Sequence, residues 1–126
     1  MIILVTGTRT DARKGAISKT LSALVRYASA DEPFHLIVGD ATGVDAEANE
    51  WYEKYTGKKN PDKFYADWNT LGKFAGPERN GRMVALAKEA MAVVLAVYHP
   101  DPTQRRGTND CVKQAKEAGL TVLEVL

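Results

Sequence analysis

One pattern constrains this chain more than any other: short apolar, β-branched runs that stop at a glycine and give way to apolar residues at helical spacing, repeated along its length. Met1 to Thr6 ends abruptly at Gly7, as a strand buried on both faces of a parallel sheet reads. After the polar turn from Thr8 to Lys14, the positions Ile17, Leu21, Leu24, Val25 and Ala28 recur at helical spacing, with Lys19 and Arg26 on other faces. The unit returns in Phe34 to Val38, the turn Gly39-Asp-Ala-Thr-Gly43, and a helix carrying Val44, Ala48, Trp51, Tyr52 and Tyr55 on one stripe. Thr56 to Lys63 is polar, basic and broken by Gly57 and Pro61, so it reads as a connection.

A third short strand is expected at Lys63 to Ala66, and a helix near Pro77, whose fixed φ suits a first helical position. Met83, Leu86, Ala87 and Ala90 form its apolar stripe. Met91 to Tyr98 is a continuous apolar run, His99 to Arg106 a polar loop, and Gly107-Thr-Asn-Asp110 a helix start that Gly119 closes. Leu120 to Leu126 supplies a last strand. Five strands alternating with four helices predict an α/β fold: one Rossmann-like domain over residues 1–126, a three-layer α/β/α sandwich around a mainly parallel sheet. Ligands of such sheets lie beyond the carboxyl ends of the strands, where the glycine-rich turns of this chain fall.

A chain of 126 residues needs no disulfide or metal to hold a core. Its net charge of +1 gives no global attraction for nucleic acid or an anionic membrane, so any anion site must be local. The single cysteine, Cys111, cannot form an internal disulfide, no basic leader opens the chain, and no apolar stretch approaches the roughly 20 residues of a membrane span. A cytoplasmic protein without a membrane partner is expected.

Local cationic density is highest between Phe64 and Met83, where Gly72, Gly76, Gly81, Arg79, Asn80 and Arg82 crowd together. Glycine weakens helices and charged heads resist burial, so the density points to a loop and helix entrance that hold an anion. Lys73, Arg79 and Asn80 around Gly76-Pro77 are candidate phosphate contacts. Gly7, Thr8 and Arg9 are a candidate phosphate cradle after the first strand, and Gly107 with Thr108 a second one at a helix start. Gly39 and Gly43 flank a turn whose Thr42 is placed to cap the next helix, with Asp45 in its first turn. Asp45 and Asp67 suit sugar hydroxyls or an activated water, and Trp68 suits stacking on a base. Arg82, Arg105 and Arg106 read as solvated or as a loop closing over a ligand. His99 reads as an exposed loop residue, while His35, Cys111 and the Tyr52/Tyr55 pair read as packing. No His or Cys spacing points to zinc and no cofactor is required, although Asp40, Asp45 and Asp67 leave room for a phosphate-bridged magnesium ion.

Val5-Thr-Gly-Thr-Arg9, Gly39-Asp-Ala-Thr-Gly-Val-Asp45, Ala66-Asp-Trp68, Gly72-Lys-Phe-Ala-Gly-Pro-Glu-Arg-Asn80 with Met83, and Gly107-Thr108 follow one another across almost the whole chain. In that order they resemble the signatures of the YspA-like branch of the SLOG superfamily. The resemblance implies a Rossmann-like domain that binds a nucleotide or nucleotide-derived ligand, and it makes a homodimer or higher oligomer an expected state. More distantly, the chain is similar to the Lonely-guy phosphoribohydrolases and to the DNA-processing protein A domain. It departs from the hydrolases where their Pro-Gly-Gly-x-Gly-Thr-x-x-Glu motif would fall. There it has Thr103-Gln-Arg-Arg-Gly-Thr-Asn-Asp-Cys111, so the glutamate position is Cys111. Asp110 sits one residue early, rotated about 100 degrees around the helix.

Ligand binding or sensing is therefore the leading expectation. Cleavage of an N-glycosidic bond is the alternative, with Asp45, Asp67 or Asp110 as the carboxylate. A third is single-stranded nucleic-acid binding through Arg79, Arg82, Arg105, Arg106 and Trp68, against which the balanced charge counts. Trp51, Tyr52 and Tyr55 are the apolar helix face available for self-association.

Overall fold

The computed structural model describes residues 1–28 and 31–126. Its strands are β1 (Ile2–Gly7), β2 (His35–Gly39), β3 (Lys63–Phe64), β4 (Val93–Val97) and β5 (Val122–Glu124). They form one five-stranded sheet in the order β3-β2-β1-β4-β5, and every pairing is parallel. The helices are α1 (Ala16–Val25), α2 (Val44–Thr56), a single turn α3 (Trp68–Leu71), α4 (Ala75–Ala90) and α5 (Arg106–Glu117).

Side chains alternate across a strand, so each buried run feeds two cores. Ile3, Val5, Leu36, Val38, Leu95 and Val97 face Ile17 and Leu21 of α1 and Val44, Ala48 and Tyr52 of α2. Leu4, Ile37 and Val94 face Met83, Val84 and Ala87 of α4 and Cys111 and Ala115 of α5. The result is the three-layer α/β/α arrangement, with α1 and α2 on one face and α4 and α5 on the other. Winding runs outward from β1 through β2 to β3, then returns to the far side of β1 for β4. The carboxyl ends of β1 and β4 therefore flank the point where the sheet changes direction, and a crevice opens there.

Several boundaries differ from those expected. Ala28 lies past the end of α1, and α1 starts only after a 3-10 turn at Asp11–Arg13 and Gly15 at φ 90°. Met91 leaves the fourth strand: it ends α4 in the left-handed region at φ 57° and is 87% exposed. β3 stops at Phe64, its last residue with a partner on β2, and β5 is confined to Val122–Glu124, the residues that find partners on β4. The largest change is at Trp68–Ala90, expected to be a loop and then a helix from Pro77. It is helical almost throughout, with a 3-10 turn at Gly72–Phe74 linking α3 to α4, and Pro77 is the third residue of α4. Proline is tolerated there because the first N–H groups of a helix have no intrahelical acceptor. Among the described residues no helix is long and apolar enough to cross a membrane.

Candidate functional site

A cavity of about 800 Å³ opens at the crevice. Its floor is the end of β1 and the following turn, with Thr6, Gly7, Thr8 and Arg9. One wall is α3 and the start of α4, with Trp68, Lys73, Gly76, Arg79 and Asn80; the other is the first two turns of α5, with Gly107, Thr108, Asp110 and Lys113. Asp45 reaches it from α2.

Three expected site residues do not line it. Gly39 lies behind Asp45 and Arg79: a Cβ there would come within 2.7 Å of Asp45 Oδ2 and 2.8 Å of Arg79 Nη1, so the glycine makes room for both groups. Gly43, at φ 72°, packs against the turn after β1, where a Cβ would collide with the Thr8 carbonyl oxygen. Asp67 is exposed and caps α3, its Oδ1 accepting from the Thr70 N–H at 3.2 Å. Thr42 does not cap α2; its hydroxyl donates to the Arg9 carbonyl at 2.7 Å.

In the first turn, two backbone N–H groups are used within the protein. The Thr8 N–H donates to the Val97 carbonyl at 2.9 Å, and the Thr10 N–H to Thr8 Oγ1 at 3.2 Å. The start of α1 is filled by the protein's own carboxylate. Glu47 of α2 accepts from the Gly15 N–H at 2.7 Å, the Ser18 N–H at 3.0 Å and Ser18 Oγ at 2.9 Å. Partial burial works to raise the Glu47 carboxyl, but these hydrogen bonds outweigh it and hold the group below its ordinary range. What the turn gives the cavity is Arg9. Its guanidinium lies 5.3 Å from the Trp68 ring centroid and makes no hydrogen bond or ion pair among the described residues. A Cβ on Gly76 or Gly107 would lie 3.8 or 3.9 Å from Arg9 Nη2, so this cation sits between the starts of α4 and α5.

The start of α5 is open. No side chain caps it and no acidic residue occupies its first turn; the first intrahelical bond in the run is the Asn109 N–H to the Arg105 carbonyl at 2.7 Å. Gly107 and Thr108 thus present early-helix N–H groups at the cavity wall, where the helix dipole is positive. Arg105 is turned away, its Nε donating to the His99 carbonyl at 2.7 Å, while Arg106 lines the cavity. His99 lies outside, its Nδ1 accepting from the Asp101 N–H at 2.9 Å. Arg82 is likewise outside, on the Glu78 carboxylate at 2.7 Å and the Tyr65 carbonyl.

Arg79, 5% exposed, anchors a network across three elements. Its Nη1 donates to Asp40 Oδ1 at 2.6 Å and its Nε to Asn80 Oδ1 at 3.2 Å. Asn80 Nδ2 donates to Asp110 Oδ2 at 2.9 Å, which also accepts from Gln114 Nε2 at 2.9 Å. Asp45 is 6% exposed and, among the described residues, accepts only the Ala41 N–H at 3.2 Å. Burial lifts its carboxyl from 3.8 to about 6, against the attraction of Arg79. Burial also pushes the Cys111 thiol up to about 12, which removes it as a nucleophile near neutral pH.

Arg9, Lys73, Arg79, Arg106 and Lys113 line the cavity against only Asp45 and Asp110, so an almost neutral chain concentrates positive charge there. Sequence reasoning missed Asn109 and Lys113. Together with Arg106 and Asp110 they lie at i, i+3, i+4 and i+7 on one face of α5, a spacing that could have found them. Asp40, Asp45 and Asp67 do not assemble, and among the described residues no group of three His, Cys, Asp or Glu side chains is placed to hold a metal ion. Comparison with protein-family models, curated proteins and solved structures gave no match.

Proposed function

We propose that this chain binds or senses a nucleotide or nucleotide-derived ligand, such as a nucleoside phosphate, ADP-ribose or NAD, at the carboxyl edge of its sheet. The observation that carries this is the cavity at the sheet's reversal point, where the uncapped start of α5 and five cationic side chains converge. Phosphate is the chemistry that such N–H groups and guanidinium forks recognise. Trp68, 45% exposed, offers a face for the base. Membership of the SLOG superfamily and a cytoplasmic location belong to the same proposal, as does magnesium carried on the ligand's phosphates. Self-association is a further part of it. Tyr52 is buried against Phe34, so Tyr55, 54% exposed and stacked on Trp51, is the group left for a contact, and light scattering of Tyr55→Ser tests it.

A second function is favoured by one feature, the buried Asp45 carboxyl at the cavity wall with a pKa of about 6. A carboxylic acid poised there could protonate a departing base while water adds to the ribose C1′, breaking the N-glycosidic bond. Asp67, held as a helix cap, does not share that role.

Calorimetric titration with AMP, ADP-ribose, NAD and cyclic dinucleotides, followed by chromatography of each mixture, separates the two. Saturable binding with every ligand recovered intact means a sensor or carrier; free base means a hydrolase, and Asp45→Asn must then abolish turnover. Absence of binding by all four at low salt refutes the proposal.

A further inference from the structure

Behind the Arg9–Trp68 pair lies a recess of about 90 Å³, lined by Arg9, Asp40, Ala41, Trp68 and Arg79. All of these except Asp40 also line the large cavity, so the recess adjoins it and Asp40 is what distinguishes it. We infer that this recess reads the ribose hydroxyls of the ligand through Asp40, so that the site separates ribonucleotides from deoxyribonucleotides; the inference rests on the nucleotide function proposed above.

Size comes first. The recess, of about 90 Å³, has room for the hydroxyl edge of a pentose. Chemistry points the same way. Asp40 directly follows β2 at the carboxyl edge of the sheet, and its side chain is 22% exposed. Both of its bonds fall on one oxygen: Oδ1 accepts Arg79 Nη1 at 2.6 Å and the Ala66 N–H at 3.3 Å. Oδ2 has no partner among the described residues. A carboxylate oxygen only accepts, so the group that completes it must bring donors, and a vicinal diol brings two. Arg79 Nη2, also without an acceptor among the described residues, can donate back to a hydroxyl oxygen. Asp45 is less suited, because it lines the large cavity but not the recess, and its Oδ2 already takes the Ala41 N–H.

A ligand lacking the hydroxyl would cover Asp40 Oδ2 without supplying a donor, the asymmetry that makes a polar site discriminate strongly. The test titrates AMP and NAD, and the 2′-deoxy and 3′-deoxy adenosine forms of each, into the unaltered protein and into Asp40→Asn and Ala41→Val. Asp40→Asn keeps an oxygen for Arg79 and turns an amide donor toward the recess. Ala41→Val fills the recess and leaves the Asp40–Arg79 pair intact, so it decides the matter if Asp40→Asn does not fold.

The expected result is that at least one deoxy form binds about tenfold to a hundredfold more weakly than its parent. Each folded variant should lower the parent's affinity to the deoxy level and leave the deoxy affinity within about threefold. Equal affinity for parent and deoxy forms, or a preference that survives both variants, overturns the inference while leaving nucleotide binding in place. Absence of binding by every one of these ligands overturns the nucleotide function, and the inference with it.

Discussion

Asp45→Asn should make the protein more stable, and only above about pH 4. The carboxyl is 6% exposed, accepts one backbone hydrogen bond, and has its pKa lifted from 3.8 to about 6 by burial. The native state therefore holds a proton that the unfolded chain has released, over the interval between those two values. By linkage, the stability tied to this group is fully present below 3.8 and is lost as pH rises through about 6. Above that, ionised Asp45 disfavours the fold by about 3 kcal/mol relative to its neutral form. Asparagine is nearly isosteric and never ionises, so it escapes this penalty. The attraction of Arg79 and the dipole of α2 are already contained in the shifted value and are not subtracted again. Urea unfolding of both proteins from pH 3.5 to 8 measures the difference, in which the other carboxylates cancel. The two should coincide near pH 3.5 and diverge between pH 4 and 6.5, to about 3 kcal/mol in favour of asparagine. A difference that stays flat across that range, or that favours aspartate increasingly as pH rises, would refute burial as the dominant influence on Asp45.

Gly7→Ala should destabilise by about 1–3 kcal/mol, because a Cβ would stand 2.7 Å from Val44 Cγ1 where α2 packs on β1; thermal unfolding reads this out. Glu47→Ala removes the carboxylate that caps α1 and should cost about 1–2 kcal/mol at pH 7. Since the folded group sits below its ordinary 4.5, its contribution is present above that pH and should vanish as the solution is acidified, so the two proteins should converge at low pH. Cys111, fully buried with its thiol raised to about 12, should resist a thiol reagent at pH 8 in the native protein and react at once in urea; rapid native labelling would contradict the packing around it.

The architecture was legible because it follows from local pattern. The run Ile2 to Thr6 alternates its side chains between two cores, and Ile17 with Leu21, or Met83 with Ala87, keeps helical spacing on one face. Much of the site's composition was legible too: Thr8, Arg9, Trp68, Arg79, Asn80, Gly107 and Thr108 were picked out from glycine and cation density at strand ends, and all of them line the cavity. What sequence reasoning misjudged was the use of individual groups. The Thr8 N–H looked available for a ligand and is taken by Val97; Asp67 looked like a site carboxylate and is a helix cap. The single turn α3 was missed because four residues between an aspartate and a glycine carry too little periodicity to read.

By itself, then, the sequence determined the alternation of strands and helices, the two-sided burial of the sheet and the residue types gathered at its carboxyl edge. Each of these depends on neighbours a few positions apart. Only the tertiary structure decided which of those residues face one another. Asp40 meets Arg79 across 39 positions, Glu47 closes the start of α1 from another helix, and Arg9 comes to lie between α4 and α5. Those meetings follow from the strand order β3-β2-β1-β4-β5, which sets distant turns side by side. A local hydrophobic period carries no record of that order.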